Sequence, residues 1–262
     1  MSSSSYLQNL FGLDGKTAII IGGTGVLGGA IAEALAGAGA FAIIVGRNEA
    51  NGNEIVSKIE AAGGKGEFFK ADATTKADLE KLVEHLKANH RHCDILINGA
   101  GVNSPTPFLE IEDEEWERIM NINLRGVRVA CQVFAKFMLD SGTQGSIINV
   151  ASLSAMTPLS RVFTYSASKA AVLNLTQNLA REWAKAGIRV NAISPGFFPA
   201  EQNRKVLTAD RVNSIMTHTP MDRFGSPEEL AGAILLLAAP KAGSFLTGHN
   251  LVVDGGFSAM TI

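Results

Sequence analysis

Short runs rich in apolar residues alternate along the chain with longer segments that have helical periodicity. The apolar runs cover residues 17–21, 41–45, 66–70, 94–97, 146–150, 189–193 and 250–253. The segments between them predict helices that begin near residue 30 and that cover 49–62, 76–89, 114–139, 163–186 and 227–238. Strands without apolar–polar alternation belong to a parallel sheet that helices cover on both faces. We therefore predict one doubly wound α/β domain.

Composition and charge agree with a single core and narrow the range of partners. Among 262 residues, 46% are hydrophobic and 18% are charged, and we find no linker, repeat or charge block that would divide the chain. A formal net charge of -2 argues against binding to nucleic acid or an anionic membrane. Cys93 and Cys131 are predicted to be reduced thiols, and we expect a cytoplasmic protein. Residues 1–9 are predicted to be a flexible tail, and 10–262 the folded domain.

A glycine-rich turn follows the first predicted strand. Gly23, Gly25 and Gly28 have the spacing G-x-G-x-x-G, and a helical pattern begins directly after them. Glycine permits a tight turn and a close approach of the backbone to a pyrophosphate, and the helix N-terminus supplies amide donors. This strand–turn–helix setting predicts a nucleotide-binding site.

Tyr165 and Lys169 are four residues apart within a predicted helix, and Ser152 lies 13 positions before the tyrosine. Positions i and i+4 share one face of a helix, so the phenol and the ammonium can point into the same space. A neighbouring cation favours the phenolate and lowers the pKa of a tyrosine towards the range of a general acid or base. The hydroxyl of Ser152 would supply a second hydrogen bond to a substrate oxygen.

With these motifs in this order, the chain resembles the classical short-chain dehydrogenases/reductases over about residues 10–258. The other matching segments are Asp72, Asn98-Gly99-Ala100-Gly101, Asn123-Leu124-Arg125-Gly126, Pro195-Gly196, Thr247-Gly248 and Val253-Asp254-Gly255-Gly256. The resemblance implies a seven-stranded Rossmann sheet, a nicotinamide cofactor and reversible carbonyl/alcohol oxidoreduction. It also implies a catalytic tetrad of Asn123, Ser152, Tyr165 and Lys169. In that tetrad the lysine also binds the nicotinamide ribose, and the asparagine holds a water molecule.

The family pattern also assigns the residues that contact the cofactor. They are Gly22, Gly23, Thr24, Gly25, Val26, Leu27, Gly28, Arg47, Asn48, Asp72, Ala73, Asn98, Gly99, Ala100, Tyr165, Lys169, Pro195, Gly196 and Phe198. The chain departs from the pattern at Ile21, Val26, Gly99 and Ala200. Val26 replaces a glycine if Gly22 is the first glycine of the turn, and we expect its side chain to tilt away from the cofactor.

Cofactor preference depends on the end of the second predicted strand, where Gly46 is followed by Arg47. An acidic residue at that place would bind the ribose hydroxyls and favour NAD. A guanidinium can instead form paired hydrogen bonds with a 2′-phosphate. We therefore predict that NADP(H) is favoured. The alternative is NAD(H), with Arg47 stacked over the adenine.

The segment 197–223 corresponds to the variable substrate lid of the family. Its amide and guanidinium groups suit a polyhydroxylated or anionic substrate, although they also suit a solvated lid with no such role. The candidate substrate residues are Asn103, Ser154, Arg161, Gln202 and Arg204. Residues 195–204 also resemble the sugar-acid (mannonate/fructuronate-type) branch, so a sugar or sugar acid is the predicted substrate. The alternatives are a 3-oxoacyl thioester reductase and a non-catalytic dinucleotide sensor.

The family usually forms homotetramers by pairing its two long helices, here 114–139 and 163–186. These segments carry the large apolar residues Trp116, Val127, Phe134, Phe137, Leu173, Leu175 and Trp183. We therefore expect a homotetramer, although some of these side chains can face the sheet instead. We expect no metal site, because His90-Arg91-His92-Cys93 lacks a carboxylate at ligand spacing and is typical of a solvated turn.

Overall fold

Seven parallel strands form one sheet in the computed structural model, which describes residues 3–198 and 208–260. The strands are β1 (Thr17–Ile21), β2 (Phe41–Gly46), β3 (Lys65–Lys70), β4 (Ile95–Asn98), β5 (Ser146–Val150), β6 (Arg189–Pro195) and β7 (Asn250–Val253). Their order across the sheet is β3-β2-β1-β4-β5-β6-β7. The predicted α/β fold and its seven-stranded parallel sheet are confirmed.

Helices connect the strands and pack on both faces of the sheet. They are α1 (Ser3–Phe11), α2 (Val26–Gly37), α3 (Glu49–Ala61), α4 (Lys76–Ala88), α5 (Asp113–Met120), α6 (Gly126–Asp140), α7 (Phe163–Trp183), α8 (Ala209–Thr217) and α9 (Ala231–Ala238). A 3-10 turn, Pro227–Leu230, precedes α9, and a capping box of Ser226 and Glu229 starts it. The predicted helix start at Pro227 is therefore confirmed.

Strands β1 to β6 contribute side chains to two separate cores, which explains why the inner strands lack polar alternation. On β1, Ile19 packs into the core that contains Leu82 of α4 and Phe134 of α6. The next residue, Ile20, points to the opposite face and packs into the core that contains Ile31 of α2. Successive side chains of a strand point to opposite faces, so a sheet buried on both sides needs apolar residues at every position.

The strand order reverses at β1, and this reversal positions the site. From β1 the chain runs outward through β2 and β3, and it then returns to β4 on the other side of β1. The loops that follow β1 and β4 therefore diverge and leave a crevice at the carboxyl ends of the strands.

Residues 3–11 form helix α1, whereas the sequence predicted a flexible tail over residues 1–9. Phe11 packs against the core beneath α2 and α9, and the carbonyl oxygen of Leu10 accepts a hydrogen bond from the amide of Ala242 at 3.3 Å. Gln8 donates to Asp14 at 2.6 Å, and Lys241 donates to Asn9. The contacts with Lys241 and Ala242 come from a segment distant in sequence, and a local pattern does not show them.

The predicted long helix 114–139 is divided. A π-helical segment, Asn121–Arg125, separates α5 from α6 and brings the amide of Asn123 into the interior. Helix α8 was not predicted. Its first turn is capped by the Thr208 hydroxyl, which accepts from the amide of Arg211 at 3.3 Å. The part of the predicted lid at 199–207 lies outside the described residues.

Candidate active site

A cleft of about 410 Å³ opens at the carboxyl ends of β1, β2 and β4, where the strand order reverses. Eight of the predicted cofactor residues line it: Gly22, Thr24, Gly25, Arg47, Asp72, Ala73, Gly99 and Ala100. The lining comes from four different strand–helix connections. The sheet topology, rather than any single motif, therefore assembles the cleft.

Gly22 and Gly28 of the glycine turn have no room for a side chain. Gly22 has a φ of 78°, and a Cβ atom at this position would lie 2.5 Å from the amide nitrogen of Ala100. A Cβ atom on Gly28 would overlap the carbonyl group of Gly22. The turn leads into α2, whose N-terminal amides and positive dipole end favour an anion. These residues fit the pyrophosphate of a dinucleotide.

Three other residues of the predicted phosphate turn have different surroundings. Val26 begins α2 and is 51% exposed. Leu27 packs against the core beneath α2, and Gly23 is buried where a Cβ atom would lie 2.8 Å from the carbonyl oxygen of Ile20. Gly22, Gly23 and Gly28 are therefore the positions that admit no side chain. Val26 is tolerated because it is exposed.

Arg47 and Asp72 lie across the cleft from the glycine turn and form an ion pair. The guanidinium Nη1 is 3.9 Å from Oδ2 of the carboxylate, and the arginine side chain is largely exposed. The other carboxylate oxygen of Asp72 accepts from the amide and the hydroxyl of Thr74 at 2.8 and 2.7 Å. These bonds lower the pKa of Asp72 below its ordinary value. Asn48 instead caps α3 by accepting from the amide of Asn51 at 3.1 Å.

Asn98 is buried below the cleft, where the sequence predicted a cofactor contact. Its Nδ2 donates to Oδ1 of Asn149 at 2.8 Å and approaches the Cys131 thiol at 3.4 Å. The reason is strand alternation. Asn98 ends β4 with its side chain on the face of the sheet that α6 covers, whereas the backbone of Gly99 turns out to the cleft.

The predicted contacts after β6 hold the end of the sheet together. The amide of Gly196 donates to the carbonyl of Val253 at 2.9 Å, and a Cβ atom on Gly196 would lie 2.7 Å from Cα of Asp254. Pro195 pairs with Val253 in the sheet. Phe198 packs over Gly225 and against the core beneath α9. Cofactor contact by these residues stays a prediction.

The structure brings Ser152 and Tyr165 together at the end of β5. Ser152 follows the strand, and its Oγ accepts from the amide and the hydroxyl of Ser154 at 3.2 and 3.1 Å. Tyr165 lies in the first turn of α7. Burial raises the pKa of Tyr165 above its ordinary value, and the hydrogen bond with Ser152 partly offsets that rise.

Lys169 lies one turn further along α7 and is buried. Its Nζ donates to the carbonyl oxygen of Val150 at 2.7 Å and lies 5.6 Å from the centre of the Tyr165 ring. Burial lowers the pKa of Lys169 to about 8. A lowered pKa of Tyr165 through Lys169 was expected from the spacing. In the structure, desolvation is the larger effect and acts in the opposite direction.

Asn123 joins the cleft loop to the catalytic helix. The side chain is 0% exposed; its Oδ1 accepts from the amide of Val102 at 2.8 Å, and its Nδ2 donates to Val102 O and to Ser168 Oγ. A Cβ atom on Gly101 would lie 3.4 Å from both Asn123 Oδ1 and Lys169 Nζ. Asn123 and Lys169 therefore lie beside the cleft, since Gly101 lines it, and Lys169 in turn lies near Tyr165.

The candidate substrate residues lie in different environments. Asn103 is exposed, Ser154 is buried against Ser152, and Arg161 is exposed with a φ of 59°. Gln202 and Arg204 lie outside the described residues. Their roles stay predictions.

Sequence patterns did not point to several groups that shape the site. The carbonyl of Val150 holds Lys169, and the backbone of Val102 holds Asn123. Main-chain groups carry no sequence signal, because every residue has them. Arg211 of α8 donates to Ser160 at 2.6 Å and thus joins α8 to the loop before Tyr165. The helix-capping pattern at Thr208 was the available signal for that element.

A protein-family model described as enoyl-(acyl carrier protein) reductase matches residues 24–258 of the chain. The chain belongs to the short-chain dehydrogenase/reductase family. The predicted membership is thereby confirmed. The enzyme class also follows: the protein is an NAD(P)-dependent oxidoreductase acting on CH–OH and C=O groups.

Similar members of the short-chain dehydrogenase/reductase family carry descriptions of sugar-acid and polyol enzymes. The 2-dehydro-3-deoxy-D-gluconate 5-dehydrogenase of Dickeya dadantii is 37% identical, over 97% of this chain and 99% of its own. The NAD-dependent glycerol dehydrogenase of Listeria innocua is 33% identical, over 95% and 96%. The structure of gluconate 5-dehydrogenase from Burkholderia cenocepacia, in complex with NADP and tartrate, superposes with a TM-score of 0.91 at 32% identity, over 97% and 99%.

The described residues also bear on membrane and metal binding. None of their helices combines the length and the apolar character needed to cross a membrane. Within the same part of the chain, histidine, cysteine and carboxylate side chains do not gather in threes around a possible metal ion.

Proposed function

We propose that this short-chain dehydrogenase/reductase interconverts a carbonyl and a secondary alcohol on a polar sugar or sugar-acid substrate. The observation that carries the proposal is the meeting of Ser152, Tyr165 and Lys169 at the end of β5, beside the dinucleotide cleft. The descriptions of the relatives support a hydroxyl-rich substrate.

Ser152 is arranged to donate a hydrogen bond to the substrate oxygen. Its Oγ already accepts two hydrogen bonds from Ser154, so both lone pairs are used and its own proton is left to donate. That proton is donated to the Tyr165 hydroxyl in this structure, and in this proposal it is donated to the substrate oxygen when substrate binds. It polarises a carbonyl in reduction and holds an alcohol oxygen in oxidation.

Tyr165 is the proposed general acid and base. A bound nicotinamide ring supplies or accepts a hydride at the substrate carbon. Tyr165 gives a proton to the substrate oxygen during reduction and takes one during oxidation. Its raised pKa keeps the phenol protonated at neutral pH, ready for reduction. Lys169 stabilises the phenolate that forms, and its pKa of about 8 lets the ammonium exchange protons near neutral pH.

We propose NADP(H) as the favoured cofactor, held on its adenosine side by Arg47. Arg47 lines the cleft, and among residues 3–198 and 208–260 only one weak ion pair, to Asp72, involves its guanidinium. Most of its donors are thus available to a 2′-phosphate. The relatives include both an NADP complex and an NAD-dependent enzyme, so NAD(H) is the competing cofactor.

The deciding experiment for the substrate class is a cofactor-linked assay. Purified protein is offered sugar acids, keto sugars, polyols and 3-oxoacyl thioesters with NADPH, NADH, NADP or NAD. We expect turnover of a sugar or sugar acid. An acyl thioester is the second candidate, which the description of the matching family model favours. Turnover of thioesters alone would replace the sugar proposal, and turnover of none would leave a dinucleotide-binding protein.

We further propose a cytoplasmic homotetramer. Both cysteines are buried free thiols, as expected in a reducing compartment.

A groove of about 730 Å³ between α5 and α7 is lined by Trp116, Met120, Leu124 and Leu175, and Trp116 is 40% exposed. By contrast, Val127, Phe134 and Phe137 are buried in the core of one chain. The proposed contact is therefore narrower than the sequence suggested and centres on this groove.

A further inference from the structure

A chain of buried polar side chains crosses from the sheet to the catalytic helix. Asn98 of β4 donates to Oδ1 of Asn149 of β5 at 2.8 Å, and Nδ2 of Asn149 donates to the hydroxyl of Thr176 of α7 at 2.9 Å. That hydroxyl donates in turn to the carbonyl of Val172 at 2.8 Å. The exposures of Asn98, Asn149 and Thr176 are 2%, 0% and 1%.

These groups lie within an otherwise apolar core. Ile147 precedes Asn149 on the same face of β5 and packs in the core that also contains Val172 and Ala180 of α7. Apolar contacts there would tolerate a small rotation of the helix, because they have little directionality. Hydrogen bonds fix distance and angle, and a buried polar group without its partner is costly. The polar chain therefore sets how α7 sits on the sheet.

The position of this chain relative to the site gives it a chemical consequence. Thr176 follows Lys169 by seven residues, which is two helical turns, so both side chains lie on the sheet-facing side of α7. Val150, whose carbonyl holds Lys169, is the neighbour of Asn149. Strand β5 thus contacts the same face of α7 at two positions, through Val150 to Lys169 and through Asn149 to Thr176. A rotation of α7 by roughly 20° would move a side chain at its surface by about 2 Å.

We infer that Asn149 and Thr176 are positioning residues, which fix the rotation and register of α7 so that Tyr165 and Lys169 meet Ser152. The inference rests on the proposed roles of these three residues. Neither Asn149 nor Thr176 lines the cleft or touches the reacting groups. They act through the helix. A displacement of about 1 Å is enough to lower turnover strongly when reacting groups must be aligned.

The experiment compares Thr176→Val, which keeps the shape and deletes the hydroxyl, with Thr176→Ser, which keeps the hydroxyl. Ser146→Ala is the matched control, because Ser146 is also a buried hydroxyl on β5 but donates to Leu237 of α9 on the opposite face, at 2.8 Å. We expect Ser146→Ala to lower Tm by about 2–4 °C for one lost hydrogen bond. Thr176→Val should lower Tm somewhat more, because it loses the bonds to Asn149 and to Val172. Only Thr176→Val should lower kcat, by at least about 10-fold, without changing the cofactor Kd.

A second readout needs no substrate. The protein has two tyrosines, Tyr6 and Tyr165, so 3-fluorotyrosine labelling gives two fluorine NMR signals, which Tyr6→Phe assigns. We expect the titration midpoint of Tyr165 to move by at least about half a unit in Thr176→Val. Thr176→Ser and Ser146→Ala should match the wild type. Identical titrations and equal kcat in Thr176→Val and Ser146→Ala would overturn the inference. If the wild type turns over no sugar, the proposed function fails, and the titration alone still decides the inference.

Discussion

At the residue scale, Tyr165 carries the strongest prediction. Tyr165→Phe removes the exchangeable proton and keeps the ring, so the fold and cofactor Kd should be preserved. Turnover should fall by at least about 100-fold. The control is Tyr6→Phe, which changes the exposed tyrosine of α1 and should leave the rate unaltered. Steady-state kinetics on the substrate found by the assay provides the measurement. Near-normal turnover in Tyr165→Phe would show that another group transfers the proton.

The buried Lys169 should make the free energy of unfolding depend on pH. Burial lowers its folded-state pKa to about 8 from 10.5, so the unfolded chain binds more protons at this site between these values. The free energy of unfolding must therefore rise with pH across that range. Relative to Lys169→Met, the wild type should gain roughly 2 kcal/mol between pH 7 and pH 9.5. Urea denaturation of both proteins at the two pH values measures the difference, and no gain would mean that the ammonium is well solvated.

Arg47 tests the cofactor preference. If its guanidinium binds a 2′-phosphate, Arg47→Ala should raise KM for NADPH by about 10-fold or more and change KM for NADH little. Asp72→Asn is a useful companion, because it releases Arg47 from its ion pair and keeps the side-chain shape. Initial rates with both cofactors give the answer. Equal changes for NADPH and NADH, or a wild-type preference for NADH, would contradict the assignment.

The sequence could predict the identity of the site residues better than their interactions. The spacing of Tyr165 and Lys169 predicted that both side chains share one face of a helix, and the ammonium lies 5.6 Å from the centre of the tyrosine ring. The direction of the Tyr165 pKa shift was wrong, because it depends on burial, which is a property of the whole fold. Asn98 was placed at the cleft by its motif, whereas strand alternation turns its side chain into the core.

At the scale of elements, the structure predicts which glycines of the turn after β1 tolerate substitution by alanine. Gly22→Ala places a Cβ atom 2.5 Å from the amide nitrogen of Ala100 at a positive φ, so Tm should fall by roughly 5 °C or more and cofactor binding should be lost. Gly25→Ala is the matched control in the same turn. Its Cβ atom would meet only the Gly22 carbonyl oxygen, at an ordinary 3.4 Å. Thermal scanning with and without cofactor tests the pair. Similar Tm values for the two variants would contradict the steric argument.

The elements themselves differ in how far the sequence predicts them. All seven strands were predicted, and the five inner strands are buried on both faces, which requires runs rich in apolar residues. Helix α1 and the π segment Asn121–Arg125 were not. The first depends on contacts with residues such as Ala242, far away in the chain. The second depends on one buried amide, Asn123, which finds its partners only after β4 and α7 are in place.

At the scale of the whole molecule, the groove between α5 and α7 predicts assembly. Light scattering should give a mass near four times the 27.6 kDa of one chain. Leu175→Glu places a charge in the apolar groove and should produce smaller species. Leu7→Glu, a similar change at an exposed position of α1, should leave the mass unchanged. A fully active wild-type monomer at micromolar concentration would refute the tetramer.

Because both cysteines are buried, their reaction with thiol reagents can measure how often the folded protein opens to solvent. Burial raises the pKa of Cys131 to about 12 and that of Cys93 well above its usual value. Thiolates are the reactive species, so maleimide or disulfide reagents should modify the native chain extremely slowly. Cys93 precedes β4 and Cys131 lies in α6, on one side of the sheet. The rate at which a thiol reagent labels the two positions therefore measures how often this half of the molecule opens to solvent.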